Sequence, residues 1–133
     1  MTQTITDPLT LENDRREWTT RVETFVNEVE AWAKAQGWAT SRSVRNVSER
    51  QLGDYSVPVL RVRLPTGEVH VIPVALNVVG ADGRIDIEAF PALNRVKLIG
   101  QKGQWQIYTD SNVPLRRPWD AQAFYQLAQD LTA

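Results

Sequence analysis

Apolar positions along the chain change period twice, and those changes mark out its elements. Trp18, Val22, Phe25, Val29 and Trp32 recur at alternating spacings of four and three, with Arg15, Arg16, Arg21, Glu23, Glu28 and Glu30 between them. That is the stripe of an amphipathic helix, where residues three and four apart share a face. Asp7-Pro8 offers a cap and first turn, Thr10 a competing cap, and Gly37 a left-handed stop. The same spacing describes a coiled coil, but it lasts only about two heptads. Packing against a sheet of the protein's own is the preferred reading, with homodimerisation through this helix or an open sheet edge as the alternative.

From Ser56 to Thr109 the period is two, punctuated by turn dipeptides. A loop at Asp82-Gly83 sets Val78 against Ile87 and Leu76 against Ala89, with Asn77 facing Glu88 and Val79 facing Asp86, so one face is apolar and the other largely polar. A loop at Lys102-Gly103 sets Leu98 against Ile107 and Gly100 against Trp105, whose indole would cover the bare glycine. A loop at Thr66-Gly67 sets Leu64 against Val69 and Val62 against Val71, but farther out the apolar pairs become Val59 with Val74 and Val57 with Leu76. The buried parity has switched. Such a switch requires a bulge, or cover on opposite faces at the two ends of the sheet. Pro58 and Pro73 lie near it and cannot donate ladder bonds, so an irregularity is expected near Ile72-Pro73, with helices over different parts of the sheet.

The remaining segments complete the architecture. Met1 to Thr6 reads as a short polar tail, Trp38 to Val47 as an edge strand, and Ser48 to Tyr55 as a loop. Phe90 to Arg95 connects the second hairpin to the third, and Asp110 to Pro118 is a loop with two prolines. Asp120 caps a closing helix whose stripe is Phe124, Leu127, Ala128 and Leu131, with Trp119 and Phe124 placed as a hydrophobic staple. The expected fold is α+β: a single domain over residues 1–133, with a long N-terminal helix, a meandering antiparallel sheet of about six strands built from three hairpins, and a short C-terminal helix. This order resembles small protein-binding folds such as secretion-chaperone-like domains, in architecture and not in any motif.

Composition narrows the chemistry. Of 133 residues, 42% are apolar and 23% charged, enough to fold without a partner. Fifteen basic against sixteen acidic residues leave a net charge of -1, which argues against nucleic acid as a partner. Cysteine is absent and His70 is the only histidine, which removes thiolate catalysis and multi-histidine or cysteine-bearing metal sites. No basic segment with an apolar core opens the chain, and no run approaches the roughly 20 apolar residues of a membrane span. A cytoplasmic protein without membrane contact or cofactor is expected.

Three groups of residues remain as candidate sites. The loop Arg116-Arg117-Pro118-Trp119 carries residue types enriched at binding hot spots, though Trp119 has its staple role as an alternative. Arg61, Arg63 and His70 form a cationic column on the first hairpin, suited to an acidic segment of a protein partner, with His70 read as the cross-strand neighbour of Arg63. Asp86 and Glu88 share a strand face, Asp82 sits at the turn beside it, and Lys97 lies on the next strand. Oxygen ligands with a nearby cation suit a metal-dependent phosphodiester hydrolase. The carboxylate arrangement has some similarity to restriction-endonuclease-like nucleases, but the acidic-x-Lys element of that family is missing from Asp86-Ile87-Glu88-Ala89-Phe90. A non-catalytic protein-binding or regulatory module is the leading expectation. The hydrolase is the alternative.

Overall fold

A computed structural model describes residues 8–133. The polar tail expected over Met1 to Thr6, and Asp7 as a cap, lie outside the described residues. The N-terminal helix, α1 (Pro8–Ala35), buries Trp18, Val22, Phe25, Val26, Val29 and Ala33, so its apolar stripe faces the core. It ends as its sequence dictates. Gly37 takes a φ of 78°, its amide donates to the Lys34 carbonyl at 2.9 Å, and the Trp38 amide reaches back to Ala33 at 3.0 Å. These two bonds satisfy carbonyls that the helix terminus would otherwise leave unpaired.

Seven strands follow in an uninterrupted antiparallel meander whose spatial order is the chain order. They are β1 (Ala39–Glu49), β2 (Gly53–Leu64), β3 (Gly67–Val78), β4 (Ala81–Phe90), β5 (Arg95–Gln101), β6 (Gln104–Thr109) and β7 (Pro114–Leu115). A final helix, α2 (Ala121–Thr132), closes the chain. The seventh strand is one more than the pattern predicts. It is a two-residue pairing, Ile107 with Leu115 and Tyr108 with Pro114, inside a stretch that reads as loop. The segment expected to be loop before Tyr55 is likewise mostly strand, since β1 runs to Glu49 and β2 starts at Gly53.

One face of the sheet is apolar and carries both helices. Leu60, Val71, Ile87 and Val96 form one row across four strands, and Ile85, Leu98, Ile107 and Leu115 form another. Most of these side chains are inaccessible to solvent, each contributing about 1.5–3 kcal/mol by burial. Asp120 caps α2 by accepting the Ala123 amide at 2.9 Å, and Trp119 meets Phe124 edge-on at 6.1 Å, so the staple forms.

Two hairpin registers differ from those expected, and glycine explains both. The β3–β4 turn is at Val79-Gly80, not Asp82-Gly83, so Ile87 lies opposite Val71, Ala89 opposite Val69, Asp86 opposite Ile72 and Glu88 opposite His70. Gly83 is a strand residue against which α1 presses: a Cβ there would stand 2.5 Å from Trp18 Cζ3. The β2–β3 turn is at Pro65-Thr66, which pairs Val62 with Val69 and Leu64 with Gly67, and sets His70 beside Arg61 instead of Arg63. Gly67 also fills a close approach, since its Cβ would lie 2.9 Å from the Phe90 carbonyl and 3.2 Å from Thr132. The β5–β6 turn is where expected, with Gly103 at a φ of 76° in open space.

The expected change of buried parity is present. Val57 and Leu60 are both buried although three residues apart, and the β3–β4 register shifts between Pro73 and Ala75. β2 and β3 pair only between Leu60–Leu64 and Gly67–Val71, so the expected partners Val59 with Val74 and Val57 with Leu76 never meet across a ladder. The Glu49 carboxylate substitutes for the missing strand, accepting the Leu76 and Asn77 amides at 3.0 and 2.9 Å. Glu49 also accepts from the Tyr55 hydroxyl, which in turn accepts from Trp18 Nε1 at 3.0 Å. Burial, reinforced by the bond to Glu49, raises the Tyr55 hydroxyl well above the ordinary phenol range.

Candidate binding groove and the open sheet face

The aromatic residues of the helix side form one continuous run. Trp18 meets Trp105 at 6.5 Å, Trp105 meets Phe25 edge-on at 5.3 Å, and Phe25 stacks on Trp119 at 5.4 Å with 13° between the planes. Beyond Trp119 the run passes through Trp32 and Phe124 to Trp38 and Tyr125. Of the five tryptophans only Trp18 is fully buried; the other four pack on the core with one part in solvent. Trp119 therefore fills both roles its position allowed, staple and partly exposed ring.

Where this run reaches the surface, a groove of about 840 Å³ opens between α1, the outer edge of β6 and the loop that follows β7. Phe25, Trp105 and Trp119 line its apolar part. Thr20, Thr24 and Glu28 project from successive turns of α1 as one wall, and Arg116 and Arg117 stand on the opposite side. Arg21 sits deeper, its guanidinium 5.3 Å from both the Trp18 and Trp105 rings, with Nη1 donating to the Asp82 carbonyl at 2.9 Å. Arg116 and Arg117 are exposed and make no side-chain hydrogen bond or ion pair among the described residues. Trp119 Nε1 is buried without an acceptor among the described residues. An indole N–H removed from water and left unbonded is costly.

Asp82 belongs to this region and not with the other carboxylates. Its side chain lies over Gly100, where a Cβ would stand 2.6 Å from Oδ1, and 3.8 Å from Arg21 Nη2. Asp82 and Arg21, and not the Trp105 indole, occupy the space that the glycine leaves. Trp105 is the cross-strand neighbour of Gly100, as its register predicts.

The other candidate residues lie on the sheet face that no helix covers, each engaged by a neighbour. The Asp86 carboxylate, its side chain only 5% exposed, takes two bonds from Arg84, at 2.8 Å from Nε and 2.9 Å from Nη2. Arg95 approaches Asp86 at 3.8 Å, Glu88 at 3.4 Å and Asp110 at 2.8 Å. Lys97 lies opposite Asp86 across the β4–β5 ladder and donates to Asn112 Oδ1. Along the same face Glu68 gathers Arg61 at 3.7 Å, Arg63 at 3.5 Å and His70 Nε2 at 2.7 Å. The His70 bond, followed by the two arginines, holds the Glu68 carboxyl below its usual range. His70 also packs on Phe90 at 4.4 Å, beside a shallow hollow of about 690 Å³ lined by Leu64, Pro65 and Pro91.

The structure thus brings Asp86, Glu88 and Lys97 together but holds Asp82 apart from them. Among the described residues no group of three or more His, Asp or Glu side chains is arranged to hold a metal ion. Arg61, Arg63 and His70 do form a cluster, around Glu68. Sequence reasoning missed Phe25, Trp105 and Arg21 as groove residues, because all three read as parts of helix or strand faces. The usable signal was the tryptophan count, which exceeds what so small a core can enclose completely.

Comparison with protein-family models, with curated proteins and with solved structures returns no match for this chain. No described helix is long and apolar enough to cross a membrane. The α+β meander covered by two helices is the class that the fold itself defines.

Proposed function

We propose that this protein is a small non-catalytic binding module that holds an acidic segment of a partner protein in the groove between α1 and the Arg116 to Trp119 loop. The observation that carries this reading is the pair Arg116 and Arg117, exposed and without an ion-pair partner among the described residues, beside half-buried aromatic rings. Tryptophan and arginine at a desolvated surface are the residue types that dominate binding energy. Charge selects the ligand: Arg21 is offset by Asp82, and Arg116 and Arg117 against Glu28 favour an anionic occupant, while the open rings favour one that also carries apolar groups.

The carboxylates of β4 support this reading by their engagement elsewhere. Arg84 and Arg95 neutralise Asp86 and Glu88, so these side chains already have the interactions that a burial-compatible charge needs. The test is affinity capture with the tagged full chain from its native cells, beside an Arg116→Glu/Arg117→Glu variant of unchanged melting temperature. A stoichiometric partner lost in the variant supports the module. Equal recovery by both proteins rules out this groove as the docking surface.

A further inference from the structure

The groove contains an unfilled strand position. β7 pairs with β6 only at Ile107 and Tyr108, which leaves the outer edge of Gln104, Trp105 and Gln106 with no strand beside it among the described residues. The direction of the backbone groups there follows from one bond. The Thr109 amide donates to the Val113 carbonyl at 2.8 Å, so Thr109 points its main-chain groups away from β5. Strand residues alternate in this respect, and Ile107 and Trp105 therefore point the same way. Trp105 presents its N–H and C=O to the groove.

The chain itself turns away from this position. Extending the β6–β7 register would set Arg117 opposite Trp105, but the Arg117 amide bonds back to the Leu115 carbonyl at 2.8 Å and Pro118 follows. The result is an unpaired strand edge in the groove, flanked by the two free arginines and the aromatic rings. We infer that the occupant is an extended acidic segment of the partner, added antiparallel or parallel to β6 beside Trp105, with its acidic side chains toward Arg116 and Arg117 and an apolar side chain against Trp119. This rests on the binding-module reading above and specifies its geometry. An added strand draws affinity from main-chain bonds and specificity from alternate side chains, which matches an unpaired edge with two chemically different walls.

The probe is a library of random ten-residue peptides displayed on phage and panned on the full chain. Selected sequences are expected to carry at least two Asp or Glu and one large apolar residue, and to lose binding to the Arg116→Glu/Arg117→Glu protein. Synthetic copies are then N-methylated at alternate residues in two registers. Strand addition predicts about tenfold or greater loss of affinity in one register, little change in the other, and slower hydrogen exchange of the Trp105 amide in the complex. If both registers behave alike while the arginine variant still abolishes binding, strand addition is wrong and the groove reading survives. Peptides without acidic enrichment, or peptides indifferent to the arginine variant, would overturn both.

Discussion

The two faces of the molecule use arginine in opposite ways. On the open sheet face, Arg84 and Arg95 grip Asp86, and Arg61 and Arg63 flank Glu68. In the groove, Arg116 and Arg117 make no ion pair among the described residues, and Arg21 is held chiefly by a backbone carbonyl. The difference teaches how to read a charged surface with no bound ligand. A cation already paired is part of the fold, whereas one left exposed beside apolar rings costs little to hold and has its interactions to give.

The contrast makes ordered predictions. Asp86→Ala should have the largest effect on stability, because it leaves Arg84 without the carboxylate that takes two of its bonds; a loss of about 2 kcal/mol is expected in urea unfolding. Glu68→Gln should cost less than about 1 kcal/mol at pH 7, since Arg61 and Arg63 are largely solvated and the glutamine keeps an oxygen that can accept from His70. Its pH dependence follows from the lowered carboxyl. A depressed folded-state value means that the ionised group stabilises the fold above its ordinary value of 4.5, and that the contribution is lost as pH falls through the lower folded-state value. The wild-type advantage over Glu68→Gln should therefore shrink steadily below about pH 4.5 and vanish in stronger acid. Arg116→Glu/Arg117→Glu should leave the melting temperature within about 1 °C of wild type, because exposed unpaired charges contribute little to folding. Smallest of all is the response to millimolar Mg²⁺ or Mn²⁺: no shift in melting temperature is expected, and a stabilisation that grows with metal would return Asp86 and Glu88 to candidacy as ligands.

How far the sequence could be read is clearest at the glycines. Gly103 behaves as a turn glycine, and the hairpin built around it has every strand partner as predicted. Gly67 and Gly83 have the same local signature, next to Thr66 and Asp82, but their role is set by Thr132 and Trp18, residues distant in the chain. A turn dipeptide and a close helix approach both select glycine, so only tertiary packing separates them. Helix stripes and caps were legible because they depend on neighbours within one or two turns, whereas the irregularity near Pro73 was expected from cross-strand pairs, Val59 with Val74 and Val57 with Leu76, that do not form. The candidate site was half legible. Arg116, Arg117 and Trp119 stood out as a loop, but their joining with Phe25, Arg21 and Trp105 depends on three elements meeting, which no local pattern records.

The most direct test of the account is a matched pair of neutralised proteins, Arg116→Gln/Arg117→Gln and Arg61→Gln/Arg63→Gln, titrated by calorimetry with the captured partner or a selected peptide. Both variants lose the same charge, so general attraction between protein and ligand falls equally. The groove pair should weaken binding by about tenfold or more, and the open-face pair by less than about twofold. Equal losses, or a larger loss from Arg61 and Arg63, would contradict the assignment of the groove as the binding surface.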